Sequence, residues 1–193
     1  MDNRNKILEC ALELFYQKGY DAVGIQEICQ MAGVTKPTLY HYFGSKYGLL
    51  ETLLKEQFDA YIQKLTRAAQ YDQSIEHSLT VFATELIDFA NRNHKAYMLL
   101  MSMSYSAKEN EVYLAVKPYI TSIYNMVVRL FEQAAFRLGN MNGRQEQFAI
   151  GFLGLINHYI LFLGYRGIPA EEMYVSEEKK HSLIHQFVHG INS

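Results

Sequence analysis

Apolar residues recur every three or four positions along most of the chain, a spacing typical of helices with one buried face. The first such stripe consists of Ile7, Leu8, Ala11, Leu14 and Phe15. It predicts a helix that ends near Lys18 and is capped by Asn3 or Asn5. No sustained alternation typical of strands is present, and proline occurs only at 37, 118 and 169. The pattern therefore predicts an all-α fold.

The later periodic segments predict a long helix from Ser45, its N-cap, towards Gln70, followed by five more helices. These five span 74–93, 94–106, 109–138, 144–166 and 176–189. Glycine, proline, asparagine and aspartate favour breaks at 71–73, 139–143 and 167–169. Pro118 can kink or split the helix that contains it.

The segment 24–46, GIQEICQMAGVTKPTLYHYFGSK, predicts two short helices joined by a tight turn. Ile25, Ile28 and Cys29 lie at helical spacing and give the first helix a buried face. Gly33 can adopt the positive φ that a sharp turn between helices needs. Thr35 is suited to cap the second helix, with Pro37 in its first turn. The segment is a helix-turn-helix, and its second helix is suited to the major groove of DNA.

The run AGVTKPTLYHYFGSKYGLL resembles the DNA-binding signature of the TetR family of bacterial repressors. It has the family's turn and the downstream Phe43, Ser45 and Lys46, and it follows one amphipathic helix. The resemblance covers about the first quarter of the chain. Gly24 departs from the pattern, because the family usually has Thr or Ser there as a helix cap that often touches phosphate. The resemblance implies a DNA-binding homodimer with a helical ligand-binding body.

The predicted DNA-binding residues lie on or beside the second helix of this motif, except Gln26, which lies near the start of the first helix. They are Gln26, Thr35, Lys36, Pro37, Thr38, Tyr40, Tyr42 and Lys46. Lysine can reach a base edge or a phosphate, and hydroxyl groups can donate to phosphate oxygens. The alternative for Tyr40 and Tyr42 is that they pack the small domain. Leu39 and Phe43 are assigned to the core.

The charge distribution supports a local DNA-binding surface within a nearly neutral protein. Lys and Arg number 18 against 20 Asp and Glu, a formal net charge of -2. This balance argues against a protein that coats nucleic acid through a general positive charge. Between Glu27 and Glu51, however, no acidic residue occurs, while Lys36, His41 and Lys46 do.

The segment 147–164, QFAIGFLGLINHYILFLG, is apolar on nearly every side and long enough to span a membrane. The polar pair Asn157 and His158 in its middle would be costly in a bilayer. Burial on two sides, against its own domain and a partner subunit, explains the composition better. The TetR resemblance implies that the last two long helices form a four-helix dimer bundle. The predicted dimer residues are Gly151, Leu155, Tyr159, Phe162, Leu183 and Phe187.

Methionine and aromatic residues crowd the body and could line a pocket for a hydrophobic or aromatic ligand. The predicted ligand-binding residues are Phe82, Met98, Met101, Tyr105, Tyr124, Phe152, Asn157 and His158. Ordinary core packing is the alternative for each of them. The sequence does not identify the ligand.

Three histidines, His181, His185 and His189, share one helix face with Glu177. This stripe has three alternative interpretations: a pair of metal-binding side chains, a pH-sensitive dimer interface, or an ordinary polar rim at the dimer edge. No glycine-rich phosphate loop, nucleophile elbow or Cys/His metal spacing occurs elsewhere. We therefore predict that the protein is not an enzyme and has no catalytic residues, no metal and no cofactor.

These observations predict a helix-turn-helix domain at 1–46 and a helical ligand-binding and dimerisation domain at 47–193. The predicted function is a repressor that binds palindromic double-stranded operator DNA as a homodimer and is released by a small-molecule effector. The polar N-terminus has no signal-peptide pattern, so we expect a cytoplasmic protein with no membrane partner. The alternatives are a DNA-binding regulator without small-molecule control and a helical protein that does not bind DNA.

Overall fold

The computed structural model describes residues 2–139, 141–165 and 174–190, which form helices and no strand. The helices are α1 (Asn3–Lys18), α2 (Ile25–Ala32), α3 (Lys36–Phe43), α4 (Lys46–Ala68), α5 (Ile75–Arg92), α6 (His94–Ser104), α7 (Glu111–Ala134), α8 (Gln145–Tyr165) and α9 (Glu177–His189). The predicted all-α fold is therefore confirmed. The predicted break at 167–169 lies outside the described residues.

The N-cap of α1 differs from the sequence prediction. The backbone N–H of Asn5 donates to the Asp2 carboxylate at 2.8 Å, so Asp2 is the cap and the prediction of Asn3 or Asn5 was wrong. The carboxylate lies one position before the first helical residue, where its charge also favours the positive end of the helix dipole. Ser74 and Ser176 cap α5 and α9 in the same way.

Helix α7 is shorter than the predicted span of 109–138. The side chain of Asn110 accepts from the backbone N–H of Val112 at 3.0 Å, which fixes the start of α7. At the other end, Arg137 N donates to Ala134 O at 2.9 Å and the chain turns before Gly139, whose φ is +68°. Pro118 lies inside an uninterrupted helix.

The chain divides into two compact units. Unit 1 comprises Met1–Ala60 and Lys95–Pro118, and unit 2 comprises Tyr61–His94 and Tyr119–Ser193. Within unit 1, helices α1, α2 and α3 pack against one another, and an ion pair between Glu13 and Lys95 joins α1 to α6. Unit 1 therefore contains the whole predicted DNA-binding domain together with most of α6 and the start of α7.

Unit 2 is built on the mutual packing of α5, α8 and α9. The ammonium group of Lys180 is buried and pairs with Asp88 on α5 and with Glu177 at 2.6 Å. Burial opposes the charged form of Lys180, but these two carboxylates raise its pKa above the usual value. Asn91 also exchanges two hydrogen bonds with the backbone of Val175. These contacts fix α9 against α5.

Candidate nucleic-acid interface

The turn between α2 and α3 has the geometry that the sequence predicts. Gly33 adopts a left-handed conformation with φ +67° and ψ +35°. Its N–H donates to Gln30 O at 3.3 Å, and Val34 N donates to Cys29 O at 3.0 Å, which closes the end of α2. A residue with a β-carbon would be strained at this φ. The turn therefore fixes the direction in which α3 leaves α2.

Helix α3 is held at its start by a side-chain cap and along its inner side by two buried residues. Thr35 accepts from Thr38 N at 3.4 Å, and the two threonine hydroxyls share a hydrogen bond of 2.9 Å. Leu39 and Phe43 are buried, as the sequence predicts. These anchors leave the opposite side of the short helix available for another molecule.

Most of the predicted DNA-binding side chains lie on that outer side. Lys36 and Pro37 on α3 are exposed, and so is Gln26 on α2. Tyr40 and Tyr42 are 46% and 43% exposed, which is high for side chains whose only role is packing. The structure thus brings a cation and two phenol groups together on one short helix.

Glu27, the acidic residue nearest to α3 in the motif, is neutralised by an ion pair within the head, the three-helix unit formed by α1, α2 and α3. The carboxylate of Glu27 on α2 pairs with Lys18 at the end of α1. This ion pair joins the two helices and offsets a charge that would repel phosphate. It leaves the basic residues of α3 to determine the local potential.

Lys46 differs from the predicted DNA-binding residues of α3 because its partners in unit 1 lie on other segments of the chain. Its Nζ atom lies 4.0 Å from the centroid of the Tyr20 ring, and partial burial lowers its pKa. Asp21 and Glu111 oppose that shift. Burial first and the Glu111 carboxylate second raise the pKa of Tyr20. Lys46 therefore also takes part in a cluster that joins the head to the start of α7.

Gly48 is a residue that the sequence analysis did not identify. Its N–H donates to the Ser45 hydroxyl at 2.9 Å, which confirms Ser45 as the cap of α4. A β-carbon at Gly48 would lie 2.2 Å from the carbonyl oxygen of Phe43, the last residue of α3. The absence of a side chain therefore lets α3 and α4 approach closely at the turn between them.

The predicted dimer residues fall into two groups. On α8, Gly151 and Phe162 are exposed, while Leu155 and Tyr159 are half-buried. Ile150 and Phe162 are each 62% exposed, and Ile150 was not predicted. On α9, Leu183 is buried and Phe187 is half-buried, with its ring 5.4 Å from that of Phe152 in the same unit. The exposed apolar surface is thus on α8, and Leu183 and Phe187 pack inside unit 2.

Among the described residues, one helix, Gln145–Leu163, is long and apolar enough to cross a membrane. By length and composition alone, a core helix of a soluble protein passes the same test. A helix that packs on one side and meets a partner on the other has the same composition.

The eight predicted ligand-binding residues are divided between the two units. Met98, Met101 and Tyr105 belong to unit 1, and the other five belong to unit 2. Phe82 and Phe152 are fully buried with ring centroids 6.4 Å apart, whereas Tyr105 and His158 are exposed. Tyr124 and Asn157 are half-buried. Core packing thus accounts for part of this set.

The histidine stripe lies along the exposed side of α9. The rings of His185 and His189 are 4.5 Å apart, and His189 Nε2 lies 3.6 Å from a Glu76 carboxylate oxygen. Within the described part of the chain, no group of three or more His, Cys, Asp or Glu side chains could hold a metal ion.

Replacing Gly24 with serine is expected to stabilise the head. Gly24 caps α2 with an extended backbone but offers no side-chain oxygen, and a β-carbon there has no atom within 4 Å. Serine would accept from a backbone N–H in the first turn, so the free energy of unfolding should rise by about 0.5 kcal/mol. Chemical denaturation measures the change. Gly24→Ala is the control, and equal stability of the two variants would contradict the capping argument.

Known proteins with similar sequences and structures are transcriptional regulators. Residues 7–53 match the family model for bacterial regulatory proteins of the tetR family. The transcriptional activator FasR of Mycolicibacterium smegmatis is 26% identical over 131 residues, which cover 66% of this chain and 60% of FasR. The transcriptional repressor BdcR of Escherichia coli is 45% identical over 49 residues, 25% of each chain. The chain thus matches less than two thirds of either relative.

The fold is shared over a much longer span. The structure of the regulator FadR from Bacillus subtilis, in complex with stearoyl-CoA, has a TM-score of 0.77 and 16% sequence identity. It covers 97% of this chain and 98% of FadR. The similar proteins are regulators and not enzymes. With the helix-turn-helix geometry, these comparisons assign the chain to the TetR family of transcriptional regulators.

Proposed function

We propose that this protein is a repressor that binds palindromic operator DNA through α3 in the bacterial cytoplasm. The observation that carries the proposal is the exposed side of α3, where Lys36, Tyr40 and Tyr42 stand on a helix fixed by Thr35 and by its buried face. A helix of this kind can enter the major groove, with its lysine at base edges or phosphates. BdcR is a repressor and FasR an activator, so the sign of regulation is part of the proposal.

The protein acts as a homodimer in this proposal. Two recognition helices about one DNA turn apart read the two halves of a palindrome, so dimerisation has a functional reason. The exposed apolar side of α8, which includes Ile150, Gly151 and Phe162, supports a subunit interface there. Gly151 and Gly154 would allow two such helices to approach closely.

A small hydrophobic or aromatic molecule releases the protein from DNA in this proposal. FadR holds stearoyl-CoA, which makes fatty acyl thioesters a first class to test. Ligand binding in the body would shift α4 and so change the spacing of the two recognition helices. If the ligand favours the non-binding spacing by about 3 kcal/mol, operator affinity falls on the order of 100-fold. In this view residues 1–46 read DNA, and residues 47–193 bind the ligand and dimerise.

Substitution of Lys36 and Tyr40 tests the DNA-binding surface. Lys36→Ala and Tyr40→Ala should each weaken operator binding about tenfold, because each removes a contact from both half-sites. Lys36→Ala should also reduce the dependence of affinity on salt. The operator is first found by selecting bound fragments of the source genome with unliganded protein. Fluorescence anisotropy then gives the affinities, and sedimentation gives the oligomeric state.

Matched controls are available on exposed residues outside the motif. Lys108→Ala and Tyr174→Ala remove the same groups elsewhere and should leave operator binding unchanged. Unchanged affinity in both α3 variants would contradict the assignment of this helix. Enrichment of no palindrome by a folded protein at moderate salt would contradict operator binding by the unliganded state.

A further inference from the structure

A cavity of about 220 Å³ opens in unit 2 where the start of α5, the end of α7, the start of α8 and the end of α9 meet. Three phenylalanines, Phe131, Phe148 and Phe187, contribute to its wall. The Phe131 ring centroid lies 5.7 Å from that of Phe148 and 6.3 Å from that of Phe187. The aromatic rings thus form a continuous apolar wall.

The size of the cavity limits its occupant to a small molecule. A cavity of about 150 Å³ with apolar walls can bind benzene, so this one accommodates on the order of ten non-hydrogen atoms. Leu79 and Met141 add further apolar surface to the lining. The main part of a suitable occupant is therefore a single ring with a short chain, or an alkyl chain of medium length.

One charged group stands among these apolar residues. Arg144 is the only charged residue among the described residues that line the cavity. Its Nε–H donates to Met141 O at 3.0 Å, and its Cζ lies 5.5 Å from the Phe148 ring centroid. These contacts hold the guanidinium group beside the aromatic wall. A guanidinium group presents paired N–H donors that match the two oxygens of a carboxylate.

The charges next to the cavity do not favour a cationic occupant. The carboxylate of Glu76, beside the lining residue Ile75, faces His189 at 3.6 Å. The Arg137 guanidinium lies at the same end of the unit and donates to Gln73 O at 2.8 Å. The guanidinium groups of Arg137 and Arg144 near the opening suit an anion.

We propose that this cavity binds an amphipathic monocarboxylate, with its apolar part against the three phenylalanines and its carboxylate on Arg144. The inference goes beyond the proposed function, because none of the eight predicted ligand-binding residues lines this cavity. Of those eight residues, Phe152 contacts the cavity lining, because its ring centroid lies 5.4 Å from that of the lining residue Phe187. The site depends on unit 2 alone and needs no operator DNA.

Calorimetric titration of the protein without DNA tests the site. The probes are 3-phenylpropionate and octanoate, with 3-phenylpropanol and octanol as neutral counterparts of the same shape. We expect the carboxylates to bind more tightly than the alcohols and the difference to shrink at high salt. Arg144→Gln should weaken carboxylate binding about tenfold and leave alcohol binding unchanged. Arg144→Lys keeps the charge, so its carboxylate affinity should lie between those of the wild type and Arg144→Gln.

A second variant tests the location independently of the charge. Val188→Phe places a ring in the cavity from a half-buried position, so it should abolish binding of all four probes while the protein stays folded. Three results would overturn the proposal: no carboxylate binding at millimolar concentration by folded protein, equal carboxylate affinity in Arg144→Gln, or undiminished binding in Val188→Phe. Because no step uses DNA, a failure here is separate from a failure of operator binding.

Discussion

Gly48→Ala is expected to lower the free energy of unfolding by about 2–3 kcal/mol and to weaken operator binding by more than tenfold. The new β-carbon would lie 2.2 Å from the carbonyl oxygen of Phe43, and the obstructing atom is backbone. Relief of that overlap requires α3 and α4 to move apart, which costs more than the gain in helix propensity from alanine. Phe43 ends α3, which reads DNA in the proposed function, so the same movement would displace Lys36 and Tyr40 relative to DNA.

Gly24→Ala is the matched control for stability. Gly24 also has a negative φ, and a β-carbon there would have no atom within 4 Å. The free energy of unfolding should therefore change by about 0.5 kcal/mol or less. Thermal and chemical denaturation measure stability, and anisotropy measures affinity for the selected operator. A Gly48→Ala protein as stable and as tight-binding as the wild type would show that the turn adapts without cost.

The helix-turn-helix could be predicted from sequence because its signals are local. Gly33, Thr35 and Leu39 act through bonds and contacts within a few residues of themselves. A left-handed turn, a cap and an apolar stripe each need only neighbouring positions. The same reasoning placed Ser45 and Ser176 as caps or helix starts. The fold class followed from the same short-range patterns, repeated along the chain.

The contacts that complete the interface and the cavity could not be predicted in this way. Glu13 pairs with Lys95, and the Glu111 carboxylate raises the pKa of Tyr20, in both cases across long stretches of chain. The residues that flank each member of these pairs in sequence do not indicate its distant partner. Arg144 likewise becomes part of a cavity only when four helix ends meet. Such groupings depend on tertiary packing, which helical periodicity does not determine.

Periodicity also failed to separate the two apolar sides of the last helices. Leu183 and Ile150 are both apolar and both occur at helical spacing, yet Leu183 is buried in unit 2 and Ile150 is largely exposed. The sequence shows that a helix has apolar positions but not which neighbour covers each of them. Leu183, which the sequence predicts for the dimer, is therefore buried within unit 2, while Ile150, for which the sequence predicts no role, is exposed.

Phe152→Ala is expected to lower the free energy of unfolding by about 3–5 kcal/mol, the largest effect among the variants considered. The Phe152 side chain is fully buried, and its ring contacts those of Phe82 and Phe187. Its removal leaves a cavity in the centre of unit 2 that neighbouring helices fill only in part. Denaturant unfolding of unliganded protein, followed by circular dichroism, measures the loss.

Two further variants distinguish packing from ligand contact at this position. Phe136→Ala removes the same ring from an exposed site and should change stability by less than about 0.5 kcal/mol. Phe152→Leu keeps much of the volume and should cost less than Phe152→Ala. If Phe152 is a core residue, the losses follow the volume removed and appear without any effector. A Phe152→Ala protein as stable as the Phe136→Ala protein would instead mean that the ring is not part of the core, and its predicted role in ligand binding would be the better explanation.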